Sequence, residues 1–202
     1  MDDVAAVQAH MEDLSTRVGM KEILFKAVSS EYYDQSYDWR AEQLGADSIY
    51  CLSKSIIMEN TKLPEDADPK RLRYVCVVVQ YAGVKLHKEK LGMAAKAIEV
   101  SRGLEPMGRK SYNYRLVSQE VNDQLSGYLH NAVCPLGMSE KLPVVISDKL
   151  PALECGYFWL GGGHVDLKMR VNSKEFLESF KAVVAPITNP DEGEKAEEPK
   201  EA

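Results

Sequence analysis

The segment that decides the fold is Tyr74-Val75-Cys76-Val77-Val78-Val79. It is a continuous run of apolar, mostly β-branched residues without polar alternation, which predicts a strand buried on both faces in the middle of a sheet. Weaker strand patterns lie on both sides of it, at residues 22–28, 54–58, 112–117, 143–147, 157–160 and 166–171. The sequence therefore predicts about seven strands, arranged around one central strand.

Helical patterns separate several of these strands. They lie at residues 1–20, 37–44, 85–96 and 118–125, and from residue 172 onward. The run Gly161-Gly162-Gly163 between the last two strands predicts a hairpin, because glycine adopts the positive φ angles of tight turns. The predicted fold class is α/β (mixed α+β): one domain with a mixed, mainly antiparallel sheet of about seven strands surrounded by helices.

The two ends of the chain differ from the central domain, residues 21–185. Residues 1–20 carry an apolar residue every three or four positions, at Val4, Val7, Met11, Leu14 and Val18. This spacing predicts an amphipathic helix whose apolar stripe packs on the domain's own core, on a second copy, or on a foreign partner. Residues 186–202 are rich in Pro, Glu and Lys, which predicts a disordered acidic tail.

The composition excludes several classes of protein. No apolar run in the 202 residues reaches the roughly 18–20 residues that a membrane span needs. The first residues have neither the basic nor the apolar segment of a secretory signal. The four cysteines include no CxxC pair, so a zinc knuckle or a redox motif is not expected. We expect a cytoplasmic protein with reduced thiols and with no membrane partner, no metal and no cofactor.

The net charge of -6 is unevenly distributed along the chain. Residues 191–202 contain six acidic and two basic residues, whereas residues 85–110 contain seven lysines and arginines and three acidic residues. A local basic surface can bind phosphates whatever the global charge. An ordinary solvated helix face explains the same count equally well.

Three residues are candidates for chemistry. His130 and Cys134 lie four residues apart, between a predicted helix and a predicted strand. A thiol nucleophile needs a base held in hydrogen-bond reach, and nothing in a loop fixes that geometry. A buried thiol under the loop is therefore the favoured interpretation. Lys54 begins an otherwise apolar strand, where its ammonium is either a fixed cation in a cleft or an exposed strand-end group.

The order of these features resembles the YbaK/prolyl-tRNA synthetase insertion-domain family of aminoacyl-tRNA deacylases, over about residues 22 to 183. The resemblance is carried by the order and spacing of several segments. They are residues 41–45 (AEQLG), 52–57 (LSKSII), the strand at 74–79, 126–128 with 133–137, and 159–163 followed by 167–171. The family implies a YbaK-like domain that hydrolyses the ester between a mischarged amino acid and a tRNA 3′ end.

The resemblance also implies a binding site. Lys54 matches the essential lysine of the family, and residues 131–135 match its Gly-x-x-x-Pro loop, whose backbone groups hold the aminoacyl carbonyl. Asn131 replaces the family's glycine; asparagine tolerates left-handed backbone angles, so the loop shape survives while the side chain alters the amino-acid pocket. Lys54 is the implied catalytic residue. The implied substrate-binding residues are His130, Asn131, Ala132, Val133, Cys134, Pro135, Gly137, Gly161, Gly162 and Gly163.

Two functions are consistent with these observations. The first is a freestanding trans-editing hydrolase that removes Ala, Ser or Cys from the 3′ acceptor end of mischarged tRNA. The second is a catalytically weak or inactive tRNA-binding or assembly module of a synthetase complex, with residues 1–20 as the contact to an aminoacyl-tRNA synthetase. The presence of Lys54 favours the hydrolase, whereas Asn131 gives the assembly module some weight.

Overall fold

The computed structural model describes residues 3–190. Its α-helices are α1 (Val4–Arg17), α2 (Tyr37–Leu44), α3 (Lys88–Ser101), α4 (Gln119–Ser126) and α5 (Ser173–Phe180). Its strands are β1 (Ile23–Ala27), β2 (Ser53–Asn60), β3 (Tyr74–Gln80), β4 (Val84–Leu86), β5 (Tyr114–Leu116), β6 (Val144–Ser147), β7 (Tyr157–Gly161), β8 (Leu167–Asn172), β9 (Val183–Ala185) and β10 (Thr188–Pro190). None of these helices combines the length and the apolar character that crossing a membrane requires.

The strands of residues 3–190 form three sheets. The largest has the order β5-β2-β3-β6-β9, with β3 in the centre, antiparallel to β2 and parallel to β6. A three-stranded antiparallel sheet has the order β1-β8-β7, and β10 pairs with β4. The predicted mixed α+β class and the glycine hairpin between β7 and β8 are confirmed. The division into three sheets was not predicted, because strand pairing joins segments whose local patterns carry no information about each other.

Three strands escaped the sequence patterns. β4, β9 and β10 have three residues each, which is too short for a recognisable periodicity. β4 occupies the start of the predicted helix 85–96, so that α3 begins only at Lys88, after the cap residue His87. The His87 Nδ1 accepts a hydrogen bond of 3.3 Å from the Lys90 N–H, which satisfies one donor of the first helical turn.

The central strand β3 is buried on both faces, as predicted. Successive side chains of a strand point to opposite faces, and no residue from Val75 to Val79 is more than 2% exposed. Cys76 and Val78 belong to the hydrophobic cluster that includes β6, β7 and β8, whereas Val75, Val77 and Val79 pack in the cluster that includes α3. β3 therefore joins two hydrophobic cores into one domain.

Helix α1 packs on the domain's own core. Met11 is 0% exposed and lies in the same cluster as Phe158 and Phe176, and Val7 and Leu14 pack against that cluster. The Asp3 carboxylate accepts a hydrogen bond from the Ala5 N–H and caps the first turn. Of the three alternatives that the apolar stripe left open, the structure shows packing on the domain's own core.

The ordered chain continues beyond residue 186, where the predicted tail begins. Thr188–Pro190 pairs with β4, and Thr188 and Ile187 are buried. The remainder of the predicted disordered tail, residues 191–202, lies outside the described residues. The structured unit thus includes α1 at one end and β10 at the other.

We expect the substitution Met11→Ala to lower the free energy of unfolding by about 2–5 kcal/mol, because it removes a fully buried side chain and leaves a cavity under α1. His10→Ala, on the exposed side of the same helix, is the matched control and should change stability by less than about 0.5 kcal/mol. Urea unfolding of both variants measures the difference. Equal stabilities would contradict the packing of α1 on the core.

Candidate functional site

A cavity of about 510 Å³ lies beside the start of β2. Lys54 and the strand residues that follow it form one wall, and the loop at His130, Asn131 and Val133 forms another. Gly161 at the end of β7 also lines the cavity. Segments that are far apart in sequence therefore line one cavity.

Lys54 projects from the second residue of β2. Its neighbour Ser53 is buried and donates a hydrogen bond of 2.8 Å to the Trp159 carbonyl, which ties β2 to β7. The Lys54 Nζ lies 5.2 Å from the centre of the Tyr81 ring, a distance at which a cation is attracted to an aromatic face. Lys54 is half-buried and lines the cavity, so it is a cation in a cleft and not an exposed strand-end group.

Asn131 has a left-handed backbone conformation, with a φ of 63°. Few residues other than glycine adopt this region, and asparagine is among the commonest exceptions. The Asn131 carbonyl accepts a hydrogen bond of 2.8 Å from the Tyr33 hydroxyl. The loop therefore keeps a shape suited to glycine, and Asn131 is one of the residues that line the cavity.

Gly161 allows β7 to approach the same loop closely. A Cβ at this position would lie 2.7 Å from the Val133 carbonyl oxygen and 3.1 Å from that of Ala132. The Gly163 N–H donates a hydrogen bond of 3.2 Å to the Ala132 carbonyl. The glycine run thus serves two purposes, since it forms the turn between β7 and β8 and makes room for the loop.

Cys134 cannot act as a nucleophile in this arrangement. Its side chain is 0% exposed and its thiol donates to the Leu136 carbonyl, 3.3 Å away. Burial raises the pKa of the Cys134 thiol to about 12, and only the thiolate is a good nucleophile. His130 is exposed at the rim of the cavity. The predicted buried thiol under the loop therefore agrees with the structure.

The other predicted site residues shape the loop from behind. Ala132, Pro135, Gly162 and Gly163 are not in the cavity wall, and neither is Gly137, whose φ of 75° and close neighbour Tyr128 fix the end of the loop. The Tyr128 hydroxyl donates to the Leu136 carbonyl. Of the implied substrate-binding residues in the described chain, the cavity wall contains His130, Asn131, Val133 and Gly161.

The sequence patterns missed a cluster of tyrosines behind the cavity. Tyr33 and Tyr81 line the cavity, and the Arg40 guanidinium lies 5.4 Å and 6.0 Å from the centres of their rings. Burial, followed by the neighbouring Tyr81, raises the pKa of Tyr33, so its hydroxyl stays protonated and can donate. The only sequence signal was the polar, tyrosine-rich connection after β1.

Lys168 on β8 lies beneath this cluster. It is 3% exposed, and its Nζ is 3.0 Å from the Tyr33 hydroxyl and 2.6 Å from the Val165 carbonyl oxygen. Burial lowers the pKa of the Lys168 ammonium to about 7, against an opposing effect of Asp166. The alternating pattern of residues 166–171 did not reveal the burial of Lys168, because a lysine on a half-buried strand normally points into solvent.

Potential metal ligands do not cluster in residues 3–190, where no group of three or more His, Cys, Asp or Glu side chains could hold an ion. His164 Nδ1 and Asp166 Oδ2 are 4.0 Å apart. The His164 Nδ1 also accepts a hydrogen bond from the Asp166 N–H. Two potential ligands, one of them engaged by the backbone, do not form a metal site.

No family model matches the chain, and no curated protein matches it. Solved structures do match. A scaffold protein for the computational grafting of linear epitopes has a TM-score of 0.67 and 16% identity, over 92% of this chain and 98% of its own. A candidate trans-editing enzyme for prolyl tRNA synthetase has a TM-score of 0.66 and 18% identity, over 93% and 99%. A hypothetical protein has a TM-score of 0.64 and 16% identity, over 88% and 98%.

These similarities extend over nearly the whole of each chain, so they define a shared domain fold and not a shared fragment. At such identities they concern the fold, which is the YbaK-like fold implied by the sequence resemblance. The resemblance is therefore confirmed at the level of the fold.

We expect Gly161→Ala to destabilise the protein by about 1–3 kcal/mol, because the added methyl group would overlap backbone carbonyls that cannot move aside easily. Gly108→Ala is the control, since a Cβ there meets nothing within 4 Å and the φ of -60° suits any residue. Chemical unfolding compares the two variants. A cost at Gly161 no larger than that at Gly108 would contradict the close approach.

We expect the free energy of unfolding to depend on pH through Lys168. Between about pH 7 and pH 10.5 the unfolded chain keeps a proton that the folded protein has lost, so stability rises with pH. The free energy of unfolding of wild type minus that of Lys168→Met should therefore rise by up to about 1.4 kcal/mol per pH unit from pH 7 to 9. Lys26→Met, the exposed residue opposite Lys168 on β1, should show no such slope. A flat difference for Lys168→Met would exclude the lowered pKa.

Proposed function

We propose that this chain is an aminoacyl-tRNA deacylase of the trans-editing type. Its substrates would be tRNAs mischarged with a small amino acid, namely Ala, Ser or Cys. The observation that carries the proposal is the meeting of Lys54, Asn131 and Val133 in one cavity. Support also comes from the shared fold with a candidate trans-editing enzyme for prolyl tRNA synthetase.

Lys54 provides the positive charge for the tRNA end. An ammonium at a strand end binds a phosphate or ribose oxygen as a point charge, and its flexible stem adapts to either. The face of the Tyr81 ring, 5.2 Å from the Lys54 Nζ, attracts the ammonium, and Tyr81 itself lines the cavity. In this role Lys54 positions the terminal adenosine and stabilises negative charge, and it abstracts no proton.

The loop provides hydrogen-bond donors for the aminoacyl group. The Ala132 N–H is already engaged with the Leu129 carbonyl. By contrast, no group in residues 3–190 accepts a hydrogen bond from the Val133 N–H, and Val133 lines the cavity. A fixed N–H donor that is aimed at a developing oxyanion lowers the barrier of acyl transfer. We assign this role to the Val133 N–H.

The reaction needs no nucleophile from the protein. A water molecule, oriented by the neighbouring ribose hydroxyl, attacks the ester carbonyl carbon, and the negative charge develops on the carbonyl oxygen near the Val133 N–H. The proton that the water gives up goes to the leaving ribose oxygen. The bond to the ribose oxygen then breaks, and after hydrolysis the products are the free amino acid and a tRNA with an intact 3′ hydroxyl. Holding the attacking group in place supplies much of the rate enhancement, which agrees with the burial of Cys134.

The cavity selects by size and polarity. The Asn131 side chain replaces empty space above a glycine and reduces the room for the amino acid. Exclusion of one methylene group is worth only about 1–3 kcal/mol, so neighbouring small amino acids are separated by modest factors. The amide of Asn131 can also hydrogen-bond to a substrate hydroxyl or amine, which favours polar small side chains such as that of serine.

The assembly-module alternative has less support. In this alternative the apolar stripe of residues 1–20 binds a synthetase. Met11 of that stripe, however, is fully buried in the domain core. A partner would therefore have to bind the polar side of α1. The two functions differ in one observable, because only the deacylase hydrolyses mischarged tRNA.

We expect Lys54→Ala to slow the deacylation of Ala-, Ser- or Cys-tRNA by about 100- to 1,000-fold, the usual effect of removing one group that stabilises charge in the transition state. Single-turnover assays on the three mischarged tRNAs measure it. Lys149→Ala removes an exposed lysine after β6 and should leave the rate unchanged. Wild-type rates for Lys54→Ala would refute the role of Lys54. Binding of tRNA by the wild type without any hydrolysis would favour the assembly module.

A further inference from the structure

The buried ammonium of Lys168 has no part in the function proposed above. Burial of a charged group is costly unless the group is paired and hydrogen-bonded, and Lys168 is 3% exposed. We propose that Lys168 is a positioning residue, which acts through the Tyr33 hydroxyl to hold the Asn131 carbonyl and with it the cavity wall. Its effect on catalysis rests on the proposed deacylase function, whereas its effect on the loop does not.

The hydrogen bonds form a continuous relay. The Lys168 Nζ donates to the Tyr33 hydroxyl over 3.0 Å, and that hydroxyl donates to the Asn131 carbonyl over 2.8 Å. A tyrosine hydroxyl has one proton and two lone pairs. Because Lys168 occupies one lone pair, the single proton of Tyr33 is left for its other partners, the Asn131 carbonyl at 2.8 Å and the Tyr81 side chain. The Val165 carbonyl, 2.6 Å from the Lys168 Nζ, holds the ammonium in place.

The relay ends at a residue with a left-handed backbone. Asn131 has a φ of 63°, which asparagine adopts more readily than most residues but at some cost relative to the common regions. Its carbonyl belongs to the peptide that leads into Ala132 and Val133, so a rotation of that carbonyl changes the direction of the loop donors. Gly161, which faces Lys168 across β7 and β8, contacts the loop carbonyls from the other side.

Several charged or titratable groups surround Lys168. Asp166 precedes β8 and favours the ammonium, whereas Arg40 from α2 disfavours it. Lys26 faces it across β1 but is exposed, and Tyr32 and Tyr33 present their rings at 5.1 Å and 4.5 Å. The Tyr33 side chain also forms a hydrogen bond with Tyr81.

The relay is sensitive to pH because burial lowers the pKa of Lys168 to about 7. Below this pH the ammonium can only donate, so it does not compete with the Asn131 carbonyl for the proton of Tyr33. Above it the neutral amine has a lone pair that competes for that proton, and the hold on Asn131 weakens. The loop should therefore be held more firmly at pH 6 than at pH 8.

The test of the relay itself is an NMR titration of the full chain that follows the Ala132 and Gly163 amides between pH 5.5 and 8.5. We expect a step near pH 7 in wild type that disappears in both Lys168→Met and Tyr33→Phe. The experiment is repeated in His130→Gln, which removes the ionisable side chain next to Asn131, and the step should remain. Absence of the step in His130→Gln, or its persistence in Lys168→Met and Tyr33→Phe, would overturn the proposal.

The kinetic test compares the same variants in single-turnover deacylation. At pH 6 we expect Lys168→Met and Tyr33→Phe each to lower the maximal rate by about five- to tenfold, the effect of one hydrogen bond, with little change in the tRNA concentration at half-maximal rate. The double variant should be no slower than either single one, since both remove the same relay. At pH 8 the deficit of Lys168→Met should shrink.

Additive losses in the double variant, or a deficit of the same size at both pH values, would contradict the relay and indicate general destabilisation. A chain that hydrolyses none of the three mischarged tRNAs would refute the deacylase function alone. In that case the amide titration still decides whether Lys168 holds the loop.

Discussion

The contact between Gly161 and the carbonyls of Ala132 and Val133 is the constraint on which the site depends. It joins the end of β7 to the loop at a separation that leaves no room for a Cβ at residue 161. β7 is in turn tied to β2 through the hydrogen bond from Ser53 to the Trp159 carbonyl. Lys54 is the next residue on β2, so one short series of contacts places Lys54 and the loop in the wall of a single cavity.

The environment behind the cavity is unusual because cations and tyrosines are buried together. Arg40 and Lys168 are each less than 10% exposed, and tyrosine rings surround both of them. Aromatic faces attract cations and replace part of the lost hydration. A free-energy cost of burying the two cations remains. The buried hydrogen bonds at the same place define one conformation of the loop. A purely apolar packing would not determine which way the Asn131 carbonyl points, since it offers no directional interaction.

Local patterns predicted much of this protein. The β-branched run of β3 indicated a central strand, and the apolar spacing indicated α1. Asn131 could be interpreted because its tolerance for left-handed angles is intrinsic to the residue. Sequence reasoning missed Tyr33, Tyr81 and Lys168, since none lies in a pattern that distinguishes a buried partner from a solvated one. It also missed β4, β9 and β10, which gain their pairing from their neighbours.

The sequence by itself determined the α+β class, the central position of β3, the hairpin at Gly161–Gly163 and the candidate residues Lys54 and Asn131. These features follow from properties of single residues or of short periodic segments. Only the tertiary structure decided that α1 packs on its own core, that Cys134 is inert, and that Lys168 lies beneath Tyr33. Each of these depends on burial and on contacts between residues more than a hundred positions apart, or on the side of a loop that faces the core, and a linear pattern contains no such distances.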